Sequence, residues 1–164
     1  TIQGAAGQHV ARAREYIRRQ EWEKAMFEIN DGLAYEPNNP ELIRMAAVVS
    51  TLQKDFYLAD HYFERFLDFA PGNVEYLVGR AGVQLRLFDF AGARETLERA
   101  MSIDPQYLPG RFYELMIDLV EFEEVEAAPW DALYLSDKEL IVSWIRADGD
   151  AYLNILVPLG LKTP

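Results

Sequence analysis

The chain has 164 residues, half of them apolar and 13% aromatic, enough for a packed core and too apolar for a long disordered protein. Its net charge is -11, and its one basic series, Arg12, Arg14, Arg18 and Arg19, is too short for a polyanion-binding stripe, which argues against nucleic acid and an anionic membrane surface. It has no cysteine, which excludes disulfides, thiolate metal sites and a cysteine nucleophile, and no apolar run near the ~20 residues that span a bilayer.

The first element is an apolar-periodic stretch through Val10, Ala13 and Ile17. Spacings of three and four residues place such side chains on one helical face. A polar break follows at Gln20-Glu21, and a second amphipathic helix runs through Trp22, Ala25, Ile29 and Leu33. Pro37 stops it, because proline cannot continue the hydrogen-bond ladder, and Asn38-Asn39-Pro40 supply turn and cap chemistry. The same succession then recurs. Ala47, the break at Lys54-Asp55, the run Phe56, Ala59, Phe63, Leu67, and Pro71 make a second copy, closed by Gly72-Asn73. Ala81, the break at Asp89, the run Phe90, Ala93, Leu97, Met101, and Pro105 make a third. Every column is offset by 34 residues, so the chain is read as repeats at 6–39, 40–73 and 74–107. The alanines have a physical reason: two helices of one repeat approach closely only where side chains are small. Ala13 with Ala25, Ala47 with Ala59, and Ala81 with Ala93 are the candidate close contacts.

Residues 107–123 form one more amphipathic helix, with Phe112, Leu115, Met116, Leu119 and Val120 on one face, as a cap on the array. Ala127 lies 34 residues after Ala93 and marks the relic of a fourth copy, degraded by Pro129 and the acidic run Glu121, Glu123, Glu124 and Glu126. The array thus occupies 1–124 and a linker 125–135. Within the tail, 136–164, Ser136 and Glu139 form a capping box ahead of Leu140, Ile141, Trp144 and Ile145. Tyr152 to Val157 is a short apolar segment ended by Pro158. The tail is too apolar to float free. Leu140, Trp144, Tyr152 and Leu156 are its docking candidates, on the array, on a partner or on a second copy as a homodimer.

The signature Ala13-Trp22-Ala25-Ile29-Pro37, repeated as Ala47-Phe56-Ala59-Phe63-Pro71 and Ala81-Phe90-Ala93-Leu97-Pro105, resembles the tetratricopeptide repeat family over residues 6–107. The first helices depart from the family pattern: His9, Ile43 and Leu77 stand where tryptophan is common. The resemblance implies an all-α fold, a right-handed superhelical array of antiparallel helix pairs, or α-solenoid. It also implies that the first helix of each repeat lines a concave groove. On this chain the groove residues would be Val10, Arg14, Ile17 and Arg18 in the first copy, and Met45, Val48 and Leu52 in the second. The third would give Val78, Gly79, Gly82 and Leu85, and the capping helix Phe112, Tyr113 and Met116. The set is mostly apolar or small, the glycines would leave open space, and the matched guest is a helix or extended peptide of another protein. A clamp for a chaperone's terminal carboxylate is not expected, since its five positions here hold Val10, Arg14, Met45, Glu75 and Gly79, one cation facing one carboxylate.

No enzyme is expected. His9 and His61 are 52 residues apart, on a first and a second helix, and share no metal-ligand spacing. Leu108-Pro109-Gly110-Arg111 lacks the Gly-Lys-Ser/Thr ending of a phosphate loop. Asp148-Gly149-Asp150 opens like a calcium loop, but Leu159 stands where the bidentate glutamate belongs. Neither cofactor nor metal is implied. The expected role is an adaptor-like or chaperone-like binding module, with a fragment of a larger protein or a self-associating assembly factor as alternatives. Thr1 in place of methionine leaves a removed N-terminal segment open, so the compartment is cytoplasmic by slight preference or periplasmic.

Overall fold

The computed structural model describes residues 2–122. Among them are seven α-helices and no strand: α1 (Ile2–Arg18), α2 (Trp22–Tyr35), α3 (Pro40–Leu52), α4 (Phe56–Phe69), α5 (Val74–Arg86), α6 (Phe90–Ile103) and α7 (Leu108–Phe122). The repeat read from the sequence is the repeat of the structure. The second helices start at Trp22, Phe56 and Phe90, and the first helices from the second copy onward at Pro40, Val74 and Leu108, all 34 residues apart. The first helix begins at Ile2, ahead of the repeat boundary read near residue 6, and Ala6 within it is 2% exposed. The expected linker at 125–135 and tail at 136–164 lie outside the described residues.

The packing is that of helix pairs. α1 packs most extensively on α2, α3 on α4, and α5 on α6. The six alanines of the repeat column, Ala13, Ala25, Ala47, Ala59, Ala81 and Ala93, are all fully buried. Complete burial of so small a side chain on both helices of a pair fits a close crossing, at which a larger side chain would hold the helices apart. The helices fall into two compact units, α1–α4 up to Pro71 and α5–α7 from Gly72. In the first, Ala13, Ala25, Ile29, Met45, Ala46 and Val49 form one core cluster, flanked by Trp22, Leu33 and Tyr62 among others. In the second, Leu77, Val78, Ala81, Leu97, Phe112 and Ile117 are the buried interior.

Capping follows the same period. Asn39 and Asn73 accept from the N–H groups of Leu42 and Tyr76 at 3.1 Å each, so α3 and α5 are capped alike. Asp55 and Asp89 accept from Leu58 at 3.3 Å and Gly92 at 3.0 Å, capping α4 and α6. The turn inside each repeat is a left-handed C-cap. Gln20, Lys54 and Phe88, again 34 apart, sit at φ of 60°, 61° and 60°. In the first turn Gln20 N–H bonds to the Ile17 carbonyl at 3.0 Å and Glu21 N–H to the Tyr16 carbonyl at 2.9 Å. Lys54-Asp55 and Phe88-Asp89 repeat this pair of bonds. Glycine is the usual residue here, because a Cβ in this region costs about 1–2 kcal/mol, yet none of the three is glycine.

Two outcomes are expected. Ala59→Leu overpacks the α3–α4 crossing and destabilises by ~1–3 kcal/mol, read as a lowered thermal midpoint; an unchanged midpoint would remove the alanine column from the explanation. Phe88 is 80% exposed and touches Phe90 only edge-on, at 6.4 Å between ring centres. Replacing it by asparagine, which tolerates the left-handed region, should stabilise by about 0.5–1 kcal/mol in urea denaturation.

Candidate functional site

Each unit is taken by itself. In the first, α1 and α3 lie side by side and present the first-helix face. Val10, Arg14 and Ile17 share one side of α1 at i, i+4 and i+7. Val10 and Ile17 are half-buried at the edge of the core cluster, and Arg14 and Arg18 are exposed. On α3, Leu52 is half-buried, while Met45 and Val48 are each 2% exposed. Met45 is therefore part of the α1–α2–α3 core and not of an open face.

The polar part of this face centres on Glu41 in the first turn of α3. Arg44 donates to both its oxygens, Nε to Oε2 at 3.0 Å and Nη2 to Oε1 at 2.6 Å. Arg14 reaches across from α1 and donates to Oε1 at 3.3 Å. The Arg44 hydrogen bonds, reinforced by its charge and by Arg14, hold the Glu41 carboxyl below the usual carboxylate range, outweighing the opposing effect of partial burial. One carboxylate thus holds Arg44 within α3 and joins α3 to α1 through Arg14. Further along α1, Arg18 and Arg19 both pair with Glu15.

On the other side of α1 the structure shows a cluster that residue spacing did not reveal. His9 Nδ1 lies 2.7 Å from Glu28 Oε2, with side chains 13% and 11% exposed, and Arg12 Nη1 lies 3.6 Å from Glu28 Oε1. The His9 ring stacks on Tyr35 at 5.9 Å. Gly32 allows this approach: a Cβ there would meet His9 Cβ at 3.1 Å and Leu42 Cδ1 at 2.7 Å. The cluster ties α1 to α2 through hydrogen bonds and charge. His61 is exposed on α4, stacked edge-on with Tyr62 at 5.2 Å, so the two histidines occupy separate places.

A shallow depression of about 520 Å³ opens at the α1–α2 turn, lined by Gln20, Glu21, Trp22, Glu23, Lys24 and Gln53. Glu21 is the one cap residue among the second helices whose side chain makes no cap bond; its carboxylate pairs with Lys24 instead. Among the described residues no group of three or more potential ligands could hold a metal ion.

In the second unit the groove candidates are interior. Val78 and Phe112 are fully buried, Tyr113 is 3% exposed, Gly79 and Gly82 are buried, and Leu85 alone is half-buried. The open space expected at Gly82 is filled: a Cβ there would lie 2.6 Å from Tyr113 Cζ, so the glycine admits the tyrosine of α7. Gly110 is likewise occupied by Met101, whose sulfur fills the place of a Cβ. The Met116 side chain and the tail candidates Leu140, Trp144, Tyr152 and Leu156 lie outside what the structure describes. Among the described residues no helix is long and apolar enough to cross a membrane.

Neither a protein-family model nor a curated protein matches the chain. Solved structures do. A tetratricopeptide repeat protein from Parabacteroides merdae superposes with a TM-score of 0.69 at 13% identity, over 95% of this chain and 59% of that one. A mutant O-GlcNAc transferase from Thermobaculum terrenum superposes with a TM-score of 0.64 at 16% identity, over 89% of this chain and 26% of that one. The chain therefore spans less than two thirds of either protein, and the likeness establishes the fold: an all-α helical repeat of tetratricopeptide type.

The Glu41 bridge has a pH signature. A carboxyl whose folded-state pKa is depressed stabilises the protein above its unfolded pKa, and that contribution is lost as pH falls through the folded value. Glu41→Gln should therefore destabilise at neutral pH by at most about 1 kcal/mol, as for other solvent-screened pairs. Thermal midpoints of the two proteins should converge as pH drops through about 4 and below. A gap that persists unchanged in acid would mean that the charge contributes nothing.

Proposed function

We propose that the chain is a protein-binding module that performs no chemistry itself and docks a segment of another protein on its first-helix faces. What carries this reading is the incomplete burial of apolar side chains there. Val10 and Ile17 on α1 and Leu52 on α3 remain partly exposed beside a well-formed core. Half-exposed apolar side chains next to fixed charges suit a helical or extended peptide, with the apolar groups giving affinity and the charges register. Among the described groove candidates of the second unit only Leu85 is partly exposed, which makes the first unit the principal docking face.

A second reading is favoured by one observation. The chain matches 26% of an enzyme that is much longer than itself. On that reading it is the repeat portion of a larger protein, which positions a partner for chemistry carried elsewhere. Both readings need the same face.

Photo-cross-linking locates that face. A photoreactive residue at Ile17 should capture a distinct protein from a lysate of the source organism, and the same residue at the exposed Glu98 of α6 should not. Equal capture at both positions, or none at Ile17, would contradict a first-helix docking face.

A further inference from the structure

We propose that the arginine-bearing face of α1 selects an acidic, amphipathic segment of the partner. Side-chain carboxylates of that segment engage Arg14 and Arg18, and an apolar side chain rests against Val10 and Ile17. The inference rests on the protein-binding reading above and specifies the partner's chemistry. The charge distribution supports it first. Residues 12–19 carry four arginines and one glutamate, net +3, while the remainder of the chain is net -14. Arg14 and Arg18 thus stand in the one locally basic stretch of a strongly acidic protein.

Geometry supports it second. The Arg14 and Arg18 side chains are 62% and 74% exposed. Each uses one terminal nitrogen, Arg14 on Glu41 and Arg18 on Glu15. A guanidinium has five N–H donors in a planar fork that fits a carboxylate through two parallel bonds, so both retain capacity for a second carboxylate. The face already demonstrates this recognition, since Arg44 grips Glu41 through two donors while Arg14 adds a third. Arg14 and Arg18 are one turn apart, as are carboxylates at i and i+4 of a partner helix. Val10 and Ile17 flank Arg14 on the same side, so one apolar residue between two acidic ones completes the match.

The partner is a peptide rather than a nucleic acid. A long polyanion extends beyond one Debye length, about 8–10 Å, and meets the net -14 of the remaining chain. A short acidic segment meets only the local cations.

Fluorescence polarisation tests this with the full chain. The probe is a labelled peptide of repeated Glu-Leu-Leu-Glu turns, acetylated and amidated so that no terminal carboxylate contributes. The comparison ligands are its glutamine counterpart and a single-stranded oligothymidylate. The glutamate peptide should bind saturably, weaken with added salt, and lose about tenfold or more in affinity with Arg18→Glu. Arg14→Glu should act in the same direction, with circular dichroism confirming that both variants keep their helices. Equal binding of the glutamine peptide, no saturable binding of the glutamate peptide, or an unchanged affinity in both folded variants would overturn the proposal. Tighter binding of the oligonucleotide would overturn it in favour of a phosphate polyanion. If cross-linking at Ile17 succeeds while the acidic peptide fails, only the chemistry assigned to the partner falls. If both fail, the binding reading falls with it.

Discussion

The close approach of two helices at an alanine is the constraint on which the rest of this structure depends. In each repeat the first and second helices each carry a fully buried alanine, Ala13 and Ala25, Ala47 and Ala59, and Ala81 and Ala93. Small residues at the crossing allow the backbones to approach, and larger ones beside it, Ile29, Phe63 and Leu97, fill the remaining space and are themselves buried. A crossing so closely specified also sets the turn. The chain must reverse within a few residues, and it does so through a left-handed residue at Gln20, Lys54 and Phe88 even though none is glycine. Packing thus imposes a backbone state that the side chains do not favour, most plainly at Phe88, which projects into solvent.

The division of labour between helices follows. Second helices give an apolar stripe to the pair and carry exposed aromatic and aliphatic side chains on the outside, Phe27 and Tyr35 on α2, Tyr57 and Phe69 on α4, and Ile103 on α6. First helices contribute to the pair and also reach the neighbouring repeat, as α1 reaches α3 through Glu41 and Arg14. Side chains at the margin of both duties, Val10, Ile17 and Leu52, remain half-exposed. Their partial exposure follows from geometry, since they lie at the margin of the core that α1, α2 and α3 share. The charges beside them are partly exposed, and their worth in stability is small.

Much of the fold was legible in the residue pattern, because a repeat displays each constraint several times over. The period, the second-helix starts at Trp22, Phe56 and Phe90, and the asparagine caps at Asn39 and Asn73 could all be read from spacing. The site was less legible. Met45, Val48, Val78, Phe112 and Tyr113 were candidates for an open groove, and the structure buries them. An apolar residue on a first helix can face either a groove or the adjoining helix, and periodicity within one helix does not separate the two. Gly82 shows the same ambiguity: absence of a side chain signals close approach, and the approaching group is Tyr113 rather than a ligand. The His9–Glu28–Arg12 cluster was missed because its members lie on two helices 19 residues apart, where no spacing rule operates.

Native-state hydrogen exchange on the full chain tests the alanine constraint most directly. If the crossings carry the stability of each unit, amides flanking Ala25, Ala59 and Ala93 should exchange slowest, well behind those at the ends of the same helices. Exchange at the crossings as fast as at the helix ends would contradict it, and would place the stabilising contacts elsewhere in the repeat.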